Sequence, residues 1–221
     1  MNLIKLQNTD IERNKYNQTS VEEFANSLSH GIGLILSIIG FFILIKIANN
    51  YSDYWRTTSY IIYGMSLIIL YFASTTYHLL TNSRLKAIFR RIDHSAIFLL
   101  IAGTYTPIIL ISLRYTWVLY LLPAIWIIAI GGIYMKLNYI HRYEKNSVWL
   151  YIFMGWLSLI ALKPLINSIP LESLFWIIIG GIIYTSGIFF YIWNRLPYQH
   201  VIWHIFVLLG SISHYIGILY I

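Results

Sequence analysis

Tyr115–Lys136, YTWVLYLLPAIWIIAIGGIYMK, runs for 21 residues without a charge before it meets Lys136. A helix of that length spans the ~30 Å hydrocarbon core of a bilayer. Comparable apolar runs recur on both sides, separated by short charged punctuation. They predict seven spans, at about 27–48, 57–80, 93–113, 115–136, 147–166, 171–193 and 200–221. The predicted fold is all-α: a seven-transmembrane helix bundle (residues 24–221) behind an N-terminal tail (residues 1–23). Loops this short make sequential helices antiparallel neighbours. Gly131-Gly132 and Gly180-Gly181 fall inside spans, where small residues permit close helix approach.

Composition narrows the chemistry. The chain of 221 residues is 58% hydrophobic, 10% charged and free of cysteine. That excludes disulfides, iron–sulfur clusters and thiolate zinc sites, leaving imidazole, carboxylate and water as metal ligands. The net charge of +7 is a membrane signal, not a nucleic-acid one, because the bases sit in short loops between spans. Eleven of the 15 bases fall on one side: Lys5, Arg13 and Lys15, then Arg84, Lys86, Arg90 and Arg91, then Lys136, Arg142, Lys145 and Arg195. Lys46, Arg56, Arg114 and Lys163 fall on the other. The positive-inside rule then predicts a cytoplasmic N-terminus and an external C-terminus, opposite to the G-protein-coupled receptors. The tail lacks a cleavable signal peptide, so the first span is expected to act as the insertion signal of a multi-pass protein of the cell (inner) membrane.

Ionisable groups inside a membrane are expensive and point to function. Ser74 and His78 are four apart on the second predicted span, as are His200 and His204 on the seventh, so each pair shares a helix face. Asp93 is expected to open the third span at the same level. Three helices thus bring polar groups to one depth, with His204 ~6 Å deeper than His200. Three neutral imidazoles, from His78, His200 and His204, with water in a fourth position would make an open tetrahedral zinc site. Asp93 and Ser74 would be the catalytic candidates, hydrogen-bonding a water whose pKa zinc can lower to ~7. Simpler readings stand beside this. The histidine pair can bond across helices, Asp93 can cap its helix, and Ser74 can bond back to its own backbone.

Glu23, Asn26 and His30 form a second set on one helix face. They are either a support shell for the ligands or an interfacial turn that caps and anchors the first span. His214, ~15 Å along its span from His200, is expected to bond another helix. His94 points about 100° away from Asp93 and reads as structural, and His141 lies in a basic, solvated loop. Thr104-Tyr105-Thr106-Pro107 predicts a bend in the third span that shapes a cavity or is a kink alone.

These motifs occur together. Glu23-x-x-Asn26-x-x-x-His30-Gly31, Ser74-x-x-x-His78, Phe89-Arg90-Arg91-Ile92-Asp93-His94 running to Ala102-Gly103-Thr104-Tyr105-Thr106-Pro107, and His200-x-x-x-His204 with His214 resemble the haemolysin III family. That family is similar to the progestin and adiponectin receptors and, more distantly, to alkaline ceramidases. The resemblance runs from about residue 22 to the C-terminus. It implies a seven-helix protein with a cytoplasmic N-terminus and zinc on His78, His200 and His204, with Asp93 and Ser74 engaging the zinc-bound water. It implies no settled activity. Three functions follow as alternatives: a zinc-dependent hydrolase of a membrane-lipid amide, a non-enzymatic regulator of membrane state with structural zinc, and a cytolytic pore. A pore needs a continuous polar path, and the outer halves of these spans show few aligned polar groups.

Overall fold

The computed structural model describes residues 18–140, 142, 144–193 and 195–221. Lys5, Arg13, Lys15 and His141 lie outside the described residues. The described chain is helical, and no strand occurs among the described residues. In chain order the helices are α1 (Ser20–Ala48), α2 (Tyr54–Leu79), α3 (Ser83–Pro107), α4 (Leu121–Tyr139), α5 (Glu144–Gly155), α6 (Leu162–Ser168), α7 (Leu171–Ile192) and α8 (Gln199–Leu219). A π-helical stretch, Ile108–Leu113, prolongs α3, and a 3-10 turn, Leu157–Ala161, joins α5 to α6. Seven segments are long and apolar enough to cross a membrane, matching the seven predicted spans.

Side-chain caps explain where several of these helices start. Thr19 and Glu22 form a reciprocal capping box, so α1 begins at Ser20, ahead of its apolar run. Asp53 accepts from the Trp55 N–H to open α2. Asn82 accepts from the N–H groups of Arg84 and Leu85. That cap starts α3 ten residues earlier than predicted, and Asp93 therefore lies in the third turn of α3. It neither opens nor caps the helix. The basic residues Arg84, Lys86, Arg90 and Arg91 belong to the helix too, because a solvated interface tolerates helix without apolar side chains.

A second correction concerns the fifth span, predicted as one helix. It breaks after Gly155. Tyr105 from α3 fills the break: its hydroxyl accepts from the Ser158 N–H and donates to the Met154 and Gly155 carbonyls, each at 2.9 Å. Backbone freed inside a membrane must be satisfied by the protein, and here one phenol does it. The third span changes its winding at Pro107, which has no N–H to donate, and continues as the π-helical stretch. Just before it, Thr104 and Thr106 donate back to the Leu100 and Ala102 carbonyls of their own helix.

The two central helices are α2 and α3, with 56% and 61% of their most apolar windows buried, against 17–39% for the other spans. The most extensive contacts join α1 to α2, α2 to α3 and α7 to α8, and α1 also packs on α8, closing the bundle. Close approach depends on glycine at two of the predicted places. A side chain at Gly132 would run into Phe98 at 2.5 Å, and one at Gly180 would run into His214. His214 itself bonds across helices, its Nε2 lying 3.1 Å from the Ile177 carbonyl on α7.

Candidate metal centre

At the face where α1 begins, the last turn of α2 and the first two turns of α8 converge. His78 comes from the first, His200 and His204 from the second. One ligand nitrogen from each lies within 4.8 Å of the others. A tetrahedral centre with bonds of ~2.0–2.1 Å spaces its ligands by ~3.4 Å, so small side-chain rotations close the gap. His78 and His204 are buried at 4% and 1% exposure. Ring contacts link the trio: centroids are 4.5 Å apart for His200–His204, 5.0 Å for His78–His204 and 5.2 Å for His78–His200.

Hydrogen bonds orient two of the three rings. The Nδ1–H of His78 donates to Glu23 Oε2 at 2.8 Å, and Lys86 Nζ holds the other carboxylate oxygen at 3.0 Å. A carboxylate behind a histidine fixes the ring and its tautomer, and leaves the far nitrogen as a free lone pair. That nitrogen, His78 Nε2, is buried and has no partner in the protein. His204 repeats the arrangement with a backbone oxygen: its Nδ1 lies 3.3 Å from the Asn26 carbonyl and 3.3 Å from Ser29 Oγ. His30 stacks on the same ring, centroids 3.5 Å apart and 11° from parallel.

The face of α1 carrying Glu23, Asn26 and His30 thus abuts the histidines, while Val21, Phe24 and Leu28 are exposed. The cap of α1 belongs to Thr19 and Glu22, not to this set. Further polar atoms stay unpartnered within the protein here: both ring nitrogens of His30, Asn26 Oδ1 and Ser74 Oγ. Buried polar groups need partners. The three convergent imidazoles among these groups could hold a metal ion. Asp93 lies outside the 4.8 Å group. Its carboxyl sits beside Ser74 and within the field of Arg90, although the Ser74 hydroxyl closes no well-formed hydrogen bond. Of the other histidines, His94 lies outside the trio, and its carbonyl accepts from the Tyr151 hydroxyl.

One helical turn deeper, a cavity of about 310 Å³ opens between α2, α3, the broken fifth span, α7 and α8. Leu70, Ile97 and Val207 line its near end, each three or four residues beyond Ser74, Asp93 or His204. Thr104, Ser158, Tyr184, Thr185 and His214 are among the polar side chains in a largely apolar wall.

Three contributors escape a reading by motif. Lys86 anchors Glu23, Ser29 approaches His204, and Glu22 bonds the backbone of the loop before α8. The tandem acidic pair Glu22-Glu23 was the available signal, since two adjacent carboxylates point to different neighbours on a helix.

The chain is 44% identical over 202 residues to the hemolysin-3 homolog of Bacillus subtilis, covering 91% of this chain and 95% of that protein. It is 43% identical over 199 residues to hemolysin-3 of Bacillus cereus, covering 90% and 91%. It is 28% identical over 210 residues to the human monocyte to macrophage differentiation factor, covering 92% and 86%. The family model for haemolysin-III related proteins matches residues 18–215, nearly the whole described chain, and the protein belongs to that family of multi-pass membrane proteins.

Proposed function

We propose that this chain is a zinc-dependent hydrolase of a membrane-lipid amide, with its site at the cytoplasmic end of an inner-membrane bundle. The observation that carries the reading is the juxtaposition of the histidine trio with the apolar cavity one turn deeper. A metal that merely staples helices has no use for an acyl-sized space beside it. An apolar cavity with few polar groups is what a lipid tail requires.

His78, His200 and His204 would hold the ion, with zinc favoured by an all-imidazole set that leaves a position open. Bound there, zinc would supply Lewis-acid polarisation of a carbonyl and activation of water. The chain's own groups do the rest. Glu23 holds His78, and the Asn26 carbonyl with Ser29 holds His204, so both rings keep their lone pairs inward. Asp93 accepts a proton from the attacking water and returns it to the leaving nitrogen, so that amide and water become carboxylic acid and amine. Ser74, buried and with its hydroxyl unpartnered within the protein, is placed to donate to the substrate oxygen. The apolar wall excludes water from the acyl chain.

The same ligands tie α2 to α8, and this favours a second reading: a regulator of membrane state with structural zinc. Asp93→Asn separates the two. For the hydrolase, purified Asp93→Asn keeps its zinc and loses release of fatty acid from N-acyl lipids in micelles. Turnover retained by the variant, or no product from zinc-loaded wild type with any N-acyl lipid, sinks the hydrolase reading. Orientation is tested by single cysteines placed in loops of this cysteine-free chain. Labelling of the 80–82 loop by an impermeant reagent in intact cells would overturn the cytoplasmic assignment.

A further inference from the structure

The two carboxylates that open α1 reach different helices. Glu23 serves α2 and α3 through His78 and Lys86. Glu22 serves α8. Its Oε2 accepts from the Thr19 N–H at 2.8 Å and completes the capping box, while its Oε1 accepts from the Tyr198 N–H at 3.1 Å. Tyr198 is the residue from which α8 starts, and it stands in the left-handed region, with φ 54° and ψ 21°. Among the described residues it is the one non-glycine with positive φ. Residues with a Cβ rarely adopt this conformation, and they persist in it where the surroundings impose it.

The Gln199 N–H bonds back to the Leu196 carbonyl at 3.2 Å, and Glu22 adds a contact that comes from another helix. The helix has no side-chain N-cap and no acidic residue in its first turn, although helix N-termini favour both. A carboxylate from α1, 176 residues away in sequence, stands in for them. His200 follows Tyr198 by two residues and His204 by six. The bend at Tyr198 therefore decides where α8 begins, and with it the helical phase that turns both imidazoles toward His78.

We infer that Glu22 is a positioning residue for the histidine trio, acting through the Tyr198 N–H to set the start and phase of α8. This rests on the metal reading proposed above. The role differs from a plain helix cap: loss of the cap weakens α1, whereas loss of the clasp moves two of three ligands.

The test uses the full chain purified in detergent. Zinc affinity is measured by competition with a chromophoric chelator, and ligand geometry by the visible absorption of cobalt(II), intense for four-coordinate and weak for six-coordinate ions. Glu22→Ala is expected to weaken zinc binding about tenfold, the low end of the usual effect of groups that orient metal ligands, and to dim the cobalt spectrum. Glu22→Gln keeps an acceptor oxygen and is expected to recover most of the loss. Thr19→Ala removes the reciprocal cap but spares the Tyr198 bond, and is expected to stay near wild type in both readouts. A second pair works independently of Glu22. Tyr198→Gly, free to adopt positive φ, is expected to bind like wild type, and Tyr198→Val, which resists it, about tenfold more weakly.

Wild-type affinity and spectrum in Glu22→Ala, equal losses in Glu22→Ala and Thr19→Ala, or equal behaviour of the glycine and valine variants would each overturn the clasp alone. Failure of the wild-type chain to bind either ion would overturn the metal reading itself, and the inference with it.

Discussion

Removing the carboxylate behind His78 is the most informative single perturbation of the proposed centre. Glu23 makes a 2.8 Å bond to His78 Nδ1 and a 3.0 Å bond to Lys86 Nζ, and its side chain is 23% exposed. Hydrogen bonds to charged groups contribute about 1.5–3 kcal/mol. Partial exposure places this one toward the lower end of that range. Loss of an outer carboxylate typically weakens metal binding about 10–100-fold, or about 1.4–2.8 kcal/mol, so the two estimates overlap. Glu23→Gln keeps an acceptor for the Nδ1–H but loses the charge, and its zinc affinity should fall about tenfold. Glu23→Ala also frees the ring to rotate and should fall toward a hundredfold. Lys86→Met leaves the Glu23–His78 bond in place and should change affinity by less than about threefold. The assay is chelator competition on purified protein, with thermal unfolding in excess chelator to show that the metal-free fold is intact. Wild-type affinity in Glu23→Ala would refute the reasoning and return Glu23 to an interfacial anchor.

The remaining expectations touch other parts of the molecule. Tyr105→Phe strips the break in the fifth span of its donor and acceptor; the unsatisfied backbone should cost about 1–3 kcal/mol in thermal or denaturant unfolding while zinc affinity holds. Ile101→Trp projects bulk into the cavity and should depress turnover of long-chain N-acyl lipids more than short-chain ones, leaving metal content unchanged. At the opposite face, Asp53 loses some solvation, which raises its pKa, but the Arg114 guanidinium at 2.9 Å and the Trp55 N–H outweigh this and hold the carboxyl below its ordinary 3.8. A depressed folded-state pKa contributes stability that is present above about pH 4 and lost as pH falls further. Unfolding scans across that range should show a shallower acid loss for Asp53→Asn than for wild type.

Apolar run length was enough to read seven spans, because a bilayer imposes one scale on every segment that crosses it. The histidine trio was readable for a similar reason: spacing of four puts His200 and His204 on one face, and the alternation of loops put His78 at the same end. What failed to show was local chemistry that competes with hydropathy. Asn82 starts α3 well before its apolar stretch, which is why Asp93 looked like a helix opener. The break in the fifth span depends on Tyr105, about 50 residues away, and no periodicity within the span records a partner on another helix. Lys86, Ser29 and Glu22 stayed hidden for that same reason. Their roles are pairings across the bundle, and sequence spacing reports only faces within one helix.

Both the proposed hydrolysis and the Glu22 clasp require a metal held by His78, His200 and His204. Zinc per chain, measured by elemental analysis of purified wild type beside the His200→Ala/His204→Ala double variant, tests it most directly. About one zinc per chain in wild type, lost in a double variant that still folds, is the expected result. A well-folded wild type without zinc after resupply would contradict it, and would leave the three histidines as polar contacts between α2 and α8.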